Sequence, residues 1–497
     1  MEERIGRISK GSAMKNAIWK MVETFAAKGV SMVITLVLAR LLLPAAYGIV
    51  GLTGIFLQLS DILVQAGFST ALIRKPQVTD KDYSTVFFIS LGTATVMYTA
   101  IFFGAPIIAR FYETPELVAV LRVLGLGLFM GATGAVRGAV IARAMKFRIT
   151  TIINLISSIA SGILGIVLAA MGFGVWALVA QSMFGSFLGM TLLFIVVKIR
   201  IKPLFSMESL RELLPPSLKI LASSLLSFTG DSLYGAAIGK VYSVEQLGLY
   251  SKGEQLPRQF SLYTFGAISS VFLPVFASYQ EDYNKLNQVF RRVVNVCLFI
   301  LVPLMAGLCV TGDQVITLLL TDKWVSAAPI LRWACLYYLA TPMLLANVQM
   351  HLAIGRAGTR ARVEMRRLIL LLISFVVLML VKAPVEMIMA TRAWIEVTIA
   401  LIIFFETRKA TGYQLSWTLR DLFPTAVATG LMCVSVGACR MVPLWVPGLQ
   451  SLPNIILLGV EVLLGVAVYV GASLVMKNKA FYEALSMVKS LKGKGEK

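Results

Sequence analysis

Ala39-Arg-Leu-Leu-Leu-Pro44-Ala-Ala-Tyr47-Gly48-Ile49 joins two apolar runs, 16–40 and 43–68. Each run can cross a bilayer, for which about twenty apolar residues suffice. About two hundred residues on, Gly239-Lys-Val-Tyr-Ser-Val-Glu-Gln-Leu-Gly248-Leu249 echoes the first stretch. Each copy links the first and second helix of a six-helix set. A second echo has similar spacing: Val120-Leu-Arg122 and Ile330-Leu-Arg332 each open the fourth helix of their set. The identities are few, and apolar helices resemble one another by chance, yet the matched positions favour duplication. Six helices separate the copies, so both keep one orientation in the membrane. Parallel repeats predict two lobes related by an axis along the membrane normal, with a site between them.

Working outward, apolar runs recur near 84–109, 117–137, 149–170, 173–197, 215–239, 244–275, 292–311, 325–351, 365–381, 383–407, 421–441 and 452–476. With the first two they predict an all-α polytopic membrane protein of about fourteen transmembrane helices. Run 244–275 is the weakest, being interrupted by Lys252, Glu254, Pro257 and Arg258. Composition agrees: 58% of the 497 residues are hydrophobic and 14% charged, against about 25% charged in a soluble domain. Mean hydropathy is +0.82. The start is basic and the first run lacks an Ala-x-Ala exit, so it reads as an uncleaved first helix.

The net charge of +21 has a topological origin. With the N-terminus inside, cytoplasmic stretches hold about thirty basic residues and the opposite loops about five, as the positive-inside rule requires. This argues against nucleic acid as a partner. It predicts an inner (plasma) membrane protein with both termini cytoplasmic, its basic face attracted to anionic lipid. The expected organisation is a cytoplasmic tail, 1–15; a first lobe, 16–197; a cytoplasmic linker, 198–214; a second lobe, 215–407; an added helix pair, 408–476; and a basic cytoplasmic tail, 477–497. In that tail Phe481, Leu485, Val488 and Leu491 recur at helical spacing, which suits a helix lying in the interface.

Catalytic chemistry finds no support. The single histidine, His351, builds neither a triad nor a metal cluster. The five cysteines all lie in apolar runs without Cys-x-x-Cys spacing and read as small buried hydrophobes. Gly235-Ala-Ala-Ile-Gly239-Lys240 is one residue short of a P-loop and ends in Val241. No cofactor, metal or catalytic residue is expected, and no loop leaves room for an extramembrane enzyme domain.

The informative residues are charges inside apolar runs, each costing about 2.5–3.5 kcal/mol at a helix centre. Lys28 reads as a cavity-lining cation, beside a Lys20–Glu23 pair. Lys252 and Arg258 on the eighth helix supply cations from the other lobe, with Arg258 also able to pair with Glu254 one turn away. Arg122 and Arg332, matched in the repeats, are further cavity candidates, with snorkelling to the outer interface as the alternative. Asp61, Asp231 and Glu23 are candidates for coupling to H⁺ or Na⁺, with structural salt bridges as the alternative. Glu386, Arg392 and Glu396 read as a local structural network, and Pro257 suggests a bend. Cations from both lobes suit a phosphate or pyrophosphate head, whose lipid tail stays in the bilayer while the head crosses a shielded cavity.

Two stretches then carry a resemblance. Ala39 to Val50, followed by Asp61-Ile-Leu-Val-Gln-Ala-Gly67-Phe-Ser-Thr-Ala71-Leu-Ile-Arg74, resembles the polysaccharide transporter branch of the multidrug/oligosaccharidyl-lipid/polysaccharide (MOP) exporter superfamily, and within it the WzxC-like lipopolysaccharide and exopolysaccharide biosynthesis proteins. Gly248-Leu-Tyr250-Ser251 with Leu256-Pro257-Arg258, and Lys323-Trp324 with Ala327-Ala-Pro-Ile-Leu331, fit the same pattern. The likeness covers most of 15–360 and weakens beyond. It implies a MATE-like, V-shaped, two-lobed carrier with alternating access. The implied substrate is an undecaprenyl-pyrophosphate-linked oligosaccharide, the implied partners membrane lipids and a polysaccharide polymerase. These motifs are turns as much as site residues, so they identify the fold better than the substrate.

Three alternatives stay open: the same fold exporting lipid II, a teichuronic-type polymer or a drug; a membrane polysaccharide polymerase or glycosyltransferase; and a scaffold for a biosynthetic complex. Short external loops without a carboxylate or histidine cluster weigh against the enzyme, and basic cavity candidates weigh against cationic drugs.

Overall fold

A computed structural model of the chain describes residues 29–75, 77–144, 146–199, 201–356, 358–445 and 454–492. Glu23 and Lys28, two of the sequence candidates, lie outside the described residues. The regular elements are all helices: α1 (Gly29–Leu41), then α2 (Pro44–Gln65), α3 (Phe68–Arg74), α4 (Asp80–Phe111), α5 (Glu116–Gly125), α6 (Gly127–Arg143), α7 (Phe147–Ala170), α8 (Val175–Val196) and α9 (Met207–Val241). There follow α10 (Val244–Ser278), α11 (Tyr283–Leu320), a 3₁₀ turn (Asp322–Ala327), α12 (Ala328–Ala353), α13 (Gly358–Val381), α14 (Val385–Thr411), α15 (Leu415–Trp445), α16 (Asn454–Val475) and α17 (Lys479–Lys492). Among the described residues nine helical segments are long and apolar enough to cross a membrane. The other five apolar runs also fall on helices: α1, α9, α10, α12 and α13.

The surface is that of a membrane protein. Phe103, Ile107 and Leu463 are each more than 70% exposed, whereas polar Thr53, Asn347 and Thr407 are wholly buried. In hydrocarbon every backbone polar group must be satisfied internally, which helices do within themselves. The chain is a multi-pass, all-α membrane protein.

Contacts divide the described chain into two units, with the boundary between Ser251 and Lys252. In the first unit, Pro44 opens α2, where its missing N–H costs no hydrogen bond. The helix closes on Ala66 (φ +41°) and Gly67 (φ +76°). Gly67 is needed twice over, since a Cβ there would also stand 2.8 Å from the Ser217 carbonyl oxygen on α9. Thr79 caps α4: its hydroxyl accepts from the Asp82 amide, and the Asp82 carboxylate accepts from the Thr79 amide at 2.9 Å. Lys75 then ties that cap to α9, 2.9 Å from Asp82 and 2.7 Å from Glu212. Desolvation lowers the Lys75 pKa, but its hydrogen bonds to Glu212 and Asp82 and their charges outweigh this and hold it above the usual value. A one-residue break at Leu126 separates α5 from α6. α7 and α8 form a hairpin through Gly172 and Gly174, both at positive φ.

In the second unit α11 packs against α12 and α15, and α12 lies along α14. Its core gathers Phe276, Phe290, Met350, Phe404 and Tyr413. The long α11 ends at Thr321 (φ +86°), and the 3₁₀ turn buries Trp324 completely. His351 is locked into packing, its Nε2 3.1 Å from the Thr407 hydroxyl. All five cysteines are unpaired.

α10 is helical from Val244 to Ser278, through Pro257. α17 is more than an interfacial helix: Asn478 bonds Thr425 at 3.0 Å, and the Phe481 ring sits 6.0 Å from Phe299, so one face docks on α11 and α15.

Candidate functional site

The second unit holds a chain of charges at helical depth. Glu254, on α10, sits 3.4 Å from Arg392 of α14 and 4.0 Å from Arg258 one turn along its own helix. Arg392 lies over the Tyr337 ring of α12, 5.1 Å from its centroid. Arg367, from α13, bonds the Tyr337 hydroxyl and stands 3.1 Å from Glu396 and 3.7 Å from Glu364. Thr341 donates to Glu396 at 3.3 Å. Arg392 and Glu396 are one turn apart and therefore share a face of α14, so one helix joins two ion pairs. Glu396 is only 1% exposed. A buried carboxylate without its partner costs several kcal/mol, and Arg367 supplies that partner from 29 residues away along the chain.

The sequence reading of Glu386, Arg392 and Glu396 as a local network holds for Arg392 and Glu396, whose charges act on each other one turn apart, and misses their partners on other helices. Glu386 is exposed, and the other two pair with α10 and α13. Lys252, two residues before Glu254, is 6% exposed, and its ammonium donates to Gln255 at 2.9 Å. Arg258 is the open member, its side chain 58% exposed. Three arginines (Arg258, Arg367 and Arg392) thus pair with three carboxylates (Glu254, Glu364 and Glu396). The fixed members hold one another in place, while Arg258 offers a guanidinium fork of the kind that grips phosphate oxygens.

The remaining sequence candidates separate from this cluster. Arg122 donates through Nε to the Phe102 carbonyl at 3.2 Å and stacks on the Phe102 ring at 4.2 Å. Arg332 pairs with Asp313 at 2.6 Å. Both reach back to the preceding long helix. Asp61 accepts from Gln65 at 2.7 Å. Asp231 falls within α9, with its side chain outside the description. Among the described residues no group of three or more His, Cys, Asp or Glu is placed to hold a metal.

Sequence reasoning missed Arg367 and Tyr337. Arg367 sits in a basic stretch, Arg360 to Arg367, that reads as a cytoplasmic patch. Tyr337 carried no signal among apolar neighbours.

The helical architecture with its buried ion pairs is that of a polytopic membrane protein. Residues 37–329 match the polysaccharide biosynthesis protein family, and the chain belongs to that family, a transporter family of the MOP superfamily. It is 23% identical to the succinoglycan biosynthesis transport protein ExoT of Rhizobium meliloti, over 65% of this chain and 66% of that one. It is 23% identical to the teichuronic acid biosynthesis protein TuaB of Bacillus subtilis, over 76% and 78% of the two chains. In fold it is similar to the inward closed conformation of the lipid II flippase MurJ, with a TM-score of 0.74 at 15% identity, over 92% of this chain and 98% of that one.

Proposed function

We propose that this chain carries undecaprenyl-pyrophosphate-linked oligosaccharide across the inner membrane by alternating access, for assembly of a surface polysaccharide. The observation that carries the reading is the buried charge chain of α10, α12, α13 and α14, with Arg258 left open at its end, in a member of the polysaccharide biosynthesis family. A lipid-anchored pyrophosphate needs cations at depth, and hydrocarbon provides none. In this reading fourteen helices span the membrane, as two six-helix lobes, 16–197 and 215–407, plus the pair in 408–476. The linker 198–214 and both tails are cytoplasmic. Lys28, Lys252, Arg258, Arg122 and Arg332 attract the anionic head, and Asp61, Asp231 and Glu23 couple its passage to H⁺ or Na⁺. TuaB's name supports a teichuronic-type cargo as a second reading within the same mechanism.

The test is reconstitution. Proteoliposomes carrying the full chain should translocate the head of a defined undecaprenyl-pyrophosphate oligosaccharide, read by loss of accessibility to an external glycosidase. An imposed ion gradient should change the rate. Elongation or release of a glycan by the purified protein would instead make it an enzyme and end this reading.

A further inference from the structure

Pro106 in α4, Pro303 in α11 and Pro342 in α12 all stand inside helices. Proline has no N–H, so each leaves the carbonyl four residues earlier without its helical donor, and the ring pushes that carbonyl aside. The carbonyls so freed are those of Phe102, Phe299 and Tyr338. At membrane depth such a group must find a donor within the protein, and each has found one on another helix. Arg122 of α5 donates through Nε to Phe102 at 3.2 Å. Tyr469 of α16 donates its hydroxyl to Phe299 at 2.7 Å. Ser261 of α10 donates its hydroxyl to Tyr338, also at 2.7 Å.

The three closures differ in how firmly they are held. Arg122 also stacks on the Phe102 ring, 4.2 Å from its centroid, and the Tyr469 ring lies 5.2 Å from the Phe299 ring. In both, the donor grips the residue whose carbonyl it caps. Ser261 is 2% exposed and brings a hydroxyl with no ring or charge behind it. A neutral hydrogen bond shifts an equilibrium by about two- to twelvefold net, enough to hold a joint shut and little enough to release it.

Pro342 also divides α12 into halves with different ties. Before it, Tyr337 is held by charged groups: Arg367 of α13 bonds its hydroxyl, and Arg392 of α14 lies over its ring. After it, Asn347 and His351 are held by neutral bonds to the Thr407 hydroxyl of α14, at 2.8 and 3.1 Å. Beside the proline, Thr341 has one proton and two acceptors, the Tyr337 carbonyl at 3.1 Å and Glu396 at 3.3 Å, so its hydroxyl can follow either one. On α10, Arg258 and Ser261 are three residues apart and lie on neighbouring turns of one face. An anion that draws Arg258 away from Glu254 therefore acts on the helix face that carries the Tyr338 bond.

We infer that α12 bends at Pro342 and that the Ser261 hydroxyl is the latch that keeps this joint shut. When the hydroxyl leaves the Tyr338 carbonyl, the half carrying Tyr337 and Tyr338 swings, while the half carrying Asn347 and His351 stays on α14. Opening of the joint by an anion at Arg258 rests on the reading of the chain as a carrier of lipid-linked oligosaccharide; the joint itself does not.

A distance measurement on the full chain tests this. In a background without the five native cysteines, Val325→Cys, in the turn before α12, and Glu386→Cys, at the start of α14, take nitroxide labels; both positions are exposed. In lipid nanodiscs, double electron–electron resonance should give a major and a minor distance. Ser261→Ala should raise the minor population about threefold or more, the scale of one lost hydrogen bond. Pro342→Ala, which restores the missing amide donor, should leave only the major distance, and adding Ser261→Ala to it should change nothing. A serine that matters for packing alone would act alike with and without the proline. Undecaprenyl pyrophosphate should raise the minor population in the wild type and not in Pro342→Ala. In proteoliposomes Pro342→Ala should translocate a defined undecaprenyl-pyrophosphate oligosaccharide severalfold more slowly, without a lower unfolding temperature. An unchanged distribution in Ser261→Ala, or an equal effect of Ser261→Ala in both backgrounds, would overturn the inference. If both variants shift the distances as expected but undecaprenyl pyrophosphate does not, the joint stands and its opening from Arg258 falls. If the wild type also translocates no oligosaccharide, the carrier reading fails and the joint still stands.

Discussion

Gly48 and Gly248 occupy the same place in the two sequence echoes, and each presses on the other copy. A Cβ on Gly48 would stand 1.7 Å from the Val244 carbonyl oxygen, and one on Gly248 2.0 Å from the Pro44 carbonyl oxygen. Each glycine meets the residue four places before its counterpart. No side chain fits at either contact, because the obstacle is backbone. Gly48→Val or Gly248→Val should destabilise the protein by more than about 4 kcal/mol, read as loss of the monodisperse peak in fluorescence-detected size exclusion. Gly54→Val, with open space around it, should leave that peak in place. Trp324 poses the same kind of question in the second unit. It is wholly buried in the 3₁₀ turn, and Trp324→Ala should cost about 3–5 kcal/mol, lowering the unfolding temperature. Both residues stood out in the sequence as parts of motifs. That Gly48 serves contact rather than turn geometry was not legible, because a glycine looks alike whether it frees φ or clears space.

At the scale of elements, the ion pairs show where sequence reading stops. The helices themselves were legible: an apolar run of membrane length has one way to satisfy its backbone, and the described part of every one of the fourteen runs falls on a helix. Partners between helices were not, since Arg392 and Glu254 lie 138 residues apart and nothing local sets which face of α14 meets α10. Glu254 and Arg258 were legible because they are four apart on one helix. The pairing gives a measurable coupling. Arg367→Met alone should destabilise the second unit by about 3–5 kcal/mol by stranding the Glu396 charge, as breaking a buried pair does. Arg367→Met with Glu396→Gln should recover most of that loss, since replacing both partners by neutral groups is often nearly neutral. Thermal unfolding of the two single variants and the double closes the cycle, and additive losses would mean the two side chains do not act as a pair.

For the whole molecule, charge and hydropathy set which side each loop faces, and geometry supplies places to check it. The turn after α4 carries Glu113, whose side chain is 81% exposed and 2.9 Å from Lys240 at the end of α9. Lys202, before α9, is 53% exposed and 3.3 Å from Asp80 at the start of α4. These two ion pairs mark opposite ends of the same helices, α4 and α9. The positive-inside count puts Lys202 in the cytoplasm and Glu113 outside. All five native cysteines lie within helices, so a cysteine-free background is the natural one for labelling. In it, Glu113→Cys should react with a membrane-impermeant maleimide on intact cells, and Lys202→Cys only after the inner membrane is opened. Each substitution removes one exposed ion pair, worth no more than about 1 kcal/mol, so folding should survive in both. The reverse labelling pattern would invert the orientation and move the charge chain's open Arg258 to the other half of the membrane. Labelling of both from outside would mean an even number of crossings between Glu113 and Lys202 in place of the expected three, and the equal orientation of the two echoes, on which a two-lobed carrier depends, would be lost.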